Sequence, residues 1–273
     1  MGKNILKKSE LCISIAKRPG MFGTIIHNAG YKALGLNYIY KAFGTEDLEG
    51  SIIGVRALGI RGCSVSMPYK EKVIRFIDKI DHSAKKINAV NTIVNDNGYL
   101  TGYNTDVLSL KKQLKKFHPR KKSKTLVIGA GGMAKAILIS LQELGMCNVQ
   151  LTNRTTKRGR KIAKEFKVEF IPWNKRNNVS AEIIINATPI GMFPEISEIP
   201  ISRDVIKNSH IIIDAISNPV ETKLINLAKK FKKNTISGID LAFHQAIAQF
   251  KLYTKKNPPK KEMKKAIVKF YKK

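Results

Sequence analysis

The stretch Gly129-Ala130-Gly131-Gly132-Met133-Ala134-Lys135-Ala136 decides how this chain folds. It follows the apolar run Thr125-Leu126-Val127-Ile128 and leads into Ile137-Leu138-Ile139, so a strand ends, the backbone turns on glycines and a helix begins. That context is the first turn of a dinucleotide-binding βαβ unit. Gly129 permits the tight turn, Gly131 lets the backbone approach a pyrophosphate, and Ala134 is small enough for close helix packing. The phosphates would rest on the helix N-terminus, where free N–H groups and the helix dipole attract anions. Ala130, Gly132 and Met133 complete the candidate phosphate-binding set.

The kind of dinucleotide is decided about twenty residues later, where NAD-binding proteins place a carboxylate on the ribose 2′-hydroxyl. Here the second strand runs out as Val149-Gln150-Leu151-Thr152-Asn153-Arg154-Thr155, with no acid available. Arg154 can instead pair with a 2′-phosphate, and Lys157 and Arg158 add positive charge. The expected cofactor is therefore NADP, with Asn153 and Thr155 beside its ribose end.

The 273 residues suffice for two domains, and 43% hydrophobic content supports real cores. The formal charge of +30, from 50 Lys+Arg against 20 Asp+Glu, would raise nucleic-acid or membrane binding if it were focused. It is spread through helical segments, as in Lys111-Lys112, Lys115-Lys116, Lys229-Lys230 and Lys264-Lys265, with few aromatics to stack bases. No specific nucleic acid is expected as a partner, and no membrane. Cys12, Cys63 and Cys147 are far apart and read as buried thiols of a reducing compartment; neither they nor the five histidines have metal-ligand spacing, so no metal is expected. The N-terminus Met1 to Lys8 lacks a signal-peptide core. A soluble cytoplasmic enzyme acting on a small molecule, as a monomer or homodimer, is expected.

Working outward from the glycine turn, strands are expected at Leu126–Ile128, Val149–Thr152, Glu169–Ile171, Ile183–Asn186, His210–Asp214 and Thr235–Ser237, mostly separated by helices. Before the turn lies a second α/β pattern. It comprises strand Leu11–Ile15, helix His27–Leu34, strand Tyr38–Phe43, a helix over Asp47–Leu58 and strand Gly62–Ser66. Ala89–Val94 and Tyr99–Tyr103 flank Asp96-Asn97-Gly98, a hairpin signal. A helix Val107–Phe117 follows Asp106 and runs into the basic stretch His118–Lys124, read as a boundary. A helix from Leu241 with apolar spacing returns to the first domain. The organisation is α/β with two α/β domains: a substrate domain over 1–106, a Rossmann-type domain over 107–238 and C-terminal helices over 239–273, the active-site cleft lying between the domains.

Taken in order, Ser64-Val65-Ser66-Met67-Pro68-Tyr69-Lys70, Ala89-Val90-Asn91-Thr92-Ile93, Gly102-Tyr103-Asn104-Thr105-Asp106, the glycine turn with Asn153-Arg154-Thr155, Asn186-Ala187-Thr188-Pro189-Ile190-Gly191-Met192 and the late Gln245 resemble the shikimate dehydrogenase family over nearly the whole chain. The resemblance implies reversible NADP-dependent reduction of 3-dehydroshikimate to shikimate in aromatic amino-acid biosynthesis. It makes Lys70 and Asp106 the pair acting at the reacting hydroxyl, with Asn91, Ser66 and Gln245 on the substrate hydroxyls. It also places Thr188, Met192 and Gly238 at the nicotinamide end. Hydride transfer from a secondary alcohol needs a partner for the hydroxyl proton, which a Lys aimed by an Asp can provide.

Two departures stand out. Where the family reads His-Ser-x-Ser-Pro ahead of its His-Asn, this chain has Arg18-Pro19-Gly20-Met21-Phe22-Gly23-Thr24-Ile25-Ile26-His27-Asn28. Met21 and Gly23 thus stand where the family's two serines hold the substrate carboxylate, so either Ser14, Arg18, Thr24 or backbone amides hold it or the substrate carries none there. The family Tyr after the late-strand Asp is Ser217. This pattern is similar to the shikimate-dehydrogenase-like branch. A related hydroxy acid such as quinate is an alternative substrate, and a catalytically weak nucleotide-binding paralogue an alternative role.

Overall fold

A computed structural model describes residues 9–271; Met1 to Lys8, read above for a signal peptide, lie outside them. The chain divides into two compact units, one formed by residues up to Thr105 together with Phe243 onward, the other by Asp106–Ala242. The basic stretch His118–Lys124 lies within the second unit.

The first unit opens with β1 (Glu10–Ala16), α1 (Phe22–Ala33), β2 (Tyr38–Gly44), α2 (Leu48–Ala57) and β3 (Gly62–Val65). It continues through a 3-10 turn at Lys72–Phe76 to β4 (Lys79–Ile80), the short α3 (His82–Lys85), β5 (Thr92–Asp96) and β6 (Tyr99–Tyr103). The sheet order is β2-β1-β3-β5-β6-β4. β1 pairs in parallel with β2 and β3, whereas β5 is antiparallel to both β3 and β6. The hairpin turn is as the sequence demands, with Asn97 and Gly98 both at positive φ.

Two expected boundaries shift here. α1 starts at Phe22, five residues before His27, because Phe22 and Ile25 pack on a buried cluster of Cys12, Ile26, Tyr31 and Phe250; that burial carries the helix through Gly23 despite its poor propensity. The strand expected from Ala89 starts at Thr92, since the Val90 N–H is taken by the Lys70 carbonyl at 2.8 Å, outside the ladder.

In the second unit α4 (Thr105–Lys115) leads to β7 (Thr125–Ile128), α5 (Gly132–Glu143), β8 (Val149–Thr152), α6 (Thr156–Phe166) and β9 (Glu169–Ile171). After these come β10 (Ile183–Asn186), α7 (Arg203–Asn208), β11 (Ile211–Asp214), α8 (Lys223–Lys230) and β12 (Asn234–Ile236). The sheet is parallel throughout, in the order β12-β11-β10-β7-β8-β9. This is the doubly wound dinucleotide-binding order, with its switch point between β7 and β10. Asp106 sits inside the first turn of α4 rather than ahead of it, where the helix dipole favours a carboxylate.

α9 (Gly238–Thr254) starts three residues before the expected Leu241, and α10 (Lys260–Tyr271) follows. From Phe243 onward these helices belong to the first unit, where Phe250, Tyr253, Met263 and Ile267 join the α1 cluster. Cys12 and Cys63 are buried, but Cys147 is exposed, just past the end of α5. No helix among the described residues is long and apolar enough to cross a membrane.

Candidate active site

The glycine turn is shaped by two different pressures. Gly129 has φ +117°, and a Cβ there would stand 2.9 Å from the Ala187 carbonyl, so only glycine lets the turn nest against the loop after β10. Gly131 and Gly132 instead face open space, with no heavy atom within 4 Å of a built Cβ. Gly131 caps α5 without a side-chain bond, and no acid occupies the first turn. The helix thus presents unpaired N–H groups to a roomy, acid-free approach, which suits a pyrophosphate. Ala134, fully buried, gives the close packing expected of the third small residue.

At the end of β8, Asn153, Arg154 and Thr155 form the connection to α6, with Thr155 as its N-cap residue and the Asn153 amide donating to the Thr155 carbonyl at 2.9 Å. Arg154 and Lys157 are exposed. Arg158 is engaged differently: its Nε donates to the Ala130 carbonyl at 2.9 Å and so braces the glycine turn.

Thr188 and Met192 lie on the loop after β10. That loop is organised by Asn186, whose Oδ1 accepts from the Thr188 N–H and hydroxyl at 3.0 and 2.7 Å. Its Nδ2 donates to the Ile190 carbonyl and, at 3.0 Å, to Asp214 Oδ1. Asp214 also accepts from Thr222 Oγ1 at 2.6 Å and from the Ile216 N–H. Burial raises its carboxyl from 3.8 to about 6 against these three bonds. Gly238 opens α9 so close to the 216–217 backbone that a Cβ would fall 2.1 Å from the Ile216 carbonyl oxygen.

In the first unit the Ser64–Lys70 segment leaves β3 and is pinned from both sides. Ser66 N–H donates to Ile15, Tyr69 N–H to Ser66, and the Tyr69 hydroxyl to the Thr45 carbonyl at 2.6 Å. Ser66 is exposed and Lys70 half-buried, its carbonyl held by Val90. Lys70 belongs to this unit and Asp106 opens the other.

Asn91 is fully buried, and its amide orientation is dictated by its neighbours. Oδ1 accepts from Thr92 Oγ1 at 2.8 Å, from the Thr105 N–H at 2.9 Å and from Thr105 Oγ1 at 3.0 Å. Nδ2 is left as a buried donor with no partner among the described residues. An unpaired buried donor costs about 1–3 kcal/mol, which a ligand oxygen would recover. Thr24 Oγ1 is likewise buried and unpartnered. Gln245 is half-buried on α9, and one turn further Gln249 donates to Ser64 Oγ at 3.1 Å and Thr92 Oγ1 at 2.9 Å. Gln249 and Tyr40 escape a motif reading, and Asn186 and Asp214, though they fall in or beside motif segments, are given no role there. An acid ending the isoleucine run Ile211–Ile213 is the physical signal that marks Asp214 as a buried polar group.

The parallel strand order and the open glycine turn define a doubly wound dinucleotide-binding protein. The sequence matches the shikimate dehydrogenase substrate binding domain over residues 22–93 and shikimate / quinate 5-dehydrogenase over residues 111–232. It is 44% identical over 256 residues to a shikimate dehydrogenase-like protein of Haemophilus influenzae, covering 93% of this chain and 94% of that relative. It is 38% identical over 263 residues to a shikimate dehydrogenase (NADP(+)) of Methanocaldococcus jannaschii, covering 90% and 92%. A crystal structure of a shikimate dehydrogenase in complex with NADP+ matches with a TM-score of 0.91 at 34% identity, over 100% of this chain and 99% of that one. The chain belongs to the shikimate dehydrogenase family, and the likeness extends to its dehydrogenase-like branch.

Proposed function

We propose that the protein is an NADP-dependent dehydrogenase that interconverts 3-dehydroshikimate and shikimate. The observation that carries this reading is the pairing of a roomy, acid-free glycine turn with a cation, Arg154, where an NAD-binding protein would need a carboxylate. Arg154 and Lys157 take the 2′-phosphate, Gly129 to Met133 the pyrophosphate, and Asn153 and Thr155 the adjoining ribose. Arg158 contributes by bracing the turn. Thr188, Met192 and Gly238 border the nicotinamide end. NADP supplies the hydride acceptor when bound.

At the substrate end, Lys70 and Asp106 hold and move the hydroxyl proton at the carbon being oxidised. Asn91, fixed as a donor, takes a neighbouring hydroxyl oxygen, and Ser66, Gln245 and Thr24 contact the rest of the ring. The buried Nδ2 of Asn91 supports a polyhydroxylated substrate, since it needs an acceptor that the described protein atoms do not provide.

A second reading, with quinate or a related hydroxy acid as substrate, rests on a substrate end that departs from the family at Met21, Gly23 and Ser217. Steady-state oxidation of shikimate and of quinate by the wild type, each with NADP, separates the two: the first reading expects the higher kcat/KM for shikimate, the second for quinate.

A further inference from the structure

We propose that Ser14 and Ser64, set in place by Tyr40, form the subsite that holds the substrate carboxylate; this rests on the dehydrogenase reading above and deepens it.

α1 fixes Tyr40 from several sides. Asn28 grips the Tyr40 backbone on both sides, Nδ2 donating to its carbonyl and Oδ1 accepting its N–H, each at 2.9 Å. One residue earlier, the His27 ring stacks on the Tyr40 ring at 4.5 Å between centroids and 10° between planes. At the start of the helix, Gly23 makes room for the far end of the same ring: a Cβ there would lie 2.9 Å from Cε1, 3.0 Å from Oη and 3.1 Å from Cζ. The phenol therefore fills the space into which a side chain at position 23 would project.

Ser14 and Ser64 are the two side chains whose hydrogen bonding to the Tyr40 hydroxyl acts against the effect of burial. Tyr40 is 2% exposed, and burial pushes its hydroxyl well above the usual phenol range, so it stays a neutral, immobile partner. The two serines are half-buried. The strand register makes them a pair. Ser14 on β1 is opposite Ser64 on β3, and Ser64 is opposite Thr92 on β5, so three hydroxyls form one row across the sheet. Gln249 bonds Ser64 and Thr92, and Thr92 bonds Asn91. Hydrogen bonds thus link Ser64 through Gln249 and Thr92 to Asn91, whose buried donor is proposed to meet a substrate hydroxyl, and Ser14 joins the row by its register with Ser64. A carboxylate accepts charge-assisted bonds from two adjacent hydroxyls, and a ring acid that engages Asn91 through a hydroxyl can extend along this row.

The test uses the full chain with NADP and compares shikimate with methyl shikimate, whose carboxylate is neutralised. Ser14→Ala, Ser64→Ala and Tyr40→Phe should each raise the KM for shikimate about tenfold or more, the range of a lost bond to a charged group, with kcat changed by less than about threefold and the KM for NADP unchanged. The same variants should treat methyl shikimate almost as the wild type does. A merely structural role for Tyr40 would move the melting temperature without erasing this discrimination. If an active wild type shows the same KM for shikimate as all three variants, the subsite is wrong while the dehydrogenase reading stands. If the wild type oxidises neither shikimate nor quinate, that reading fails and the subsite falls with it.

Discussion

Asn186 and Asp214 are register partners on β10 and β11, and their side chains meet at 3.0 Å, Nδ2 to Oδ1. The bond fixes which way the Asn186 amide points, so its oxygen is free to gather the Thr188 N–H and hydroxyl. A buried acid thereby shapes the loop assigned to the nicotinamide end.

That acid carries a pH signature. Its carboxyl stands at about 6 in the fold against an ordinary 3.8, so the folded state holds the proton more tightly. The sign follows: the contribution to stability is greatest below about pH 3.8, falls as pH rises, and is gone above about 6. Urea unfolding of wild type and Asp214→Asn at a series of pH values should show the wild type gaining about 2 kcal/mol on the variant between pH 7.5 and 4.5. A pH-independent difference would mean that Asp214 is not strained by burial.

Arg154 and Arg158 are four residues apart in sequence yet should fail differently. Arg154→Ala should raise the KM for NADP by about tenfold or more, the value of a lost charge-assisted bond, and leave the KM for NAD nearly unchanged. Arg158→Ala removes the brace on the Ala130 carbonyl and should weaken NADP and NAD together. Cofactor titrations by NADPH and NADH fluorescence would read both patterns. Equal losses of both cofactors in Arg154→Ala would remove the 2′-phosphate assignment.

Much of this is legible in the sequence. The Gly129–Ala136 turn announces itself because a cluster of glycines between an apolar strand and an apolar helix has few other uses. The runs Ile183–Ile185 and Ile211–Ile213 read as buried parallel strands for the same reason of continuity. Other parts depend on neighbours that a linear pattern does not name. The pairing of Gly23 with Tyr40 joins a helix start to a strand, and Gln249, one turn past Gln245, gains its partners only from the register of β3 with β5. Cys147, read as buried, is exposed: in the segment between α5 and β8 it is the neighbouring Met146 that is buried, a choice that amino-acid type does not encode.

Gly238→Ala places a methyl carbon against a backbone carbonyl, not a yielding side chain. The start of α9 or the 216–217 segment must move, and overpacking of this kind costs about 1–3 kcal/mol. Chemical denaturation should register that loss, accompanied by a higher KM for NADP. Unchanged stability would show that the segment yields freely.

Lys70→Ala should lower kcat about a hundred- to ten-thousandfold, the range of general acid–base help, while NADPH binding persists. Asp106→Asn should damage both kcat and the KM for shikimate, because the carboxylate is assigned to substrate and lysine alike. Near-normal turnover in Lys70→Ala would end the proposed division of roles.

The most direct measurement is the initial rate of cofactor reduction by the wild-type chain with shikimate, compared between NADP and NAD. Turnover with NADP is expected at a kcat/KM about tenfold or more above that with NAD, the preference that a charge-assisted contact from Arg154 should confer. Equal efficiency with the two cofactors, or no reduction of either, would contradict it.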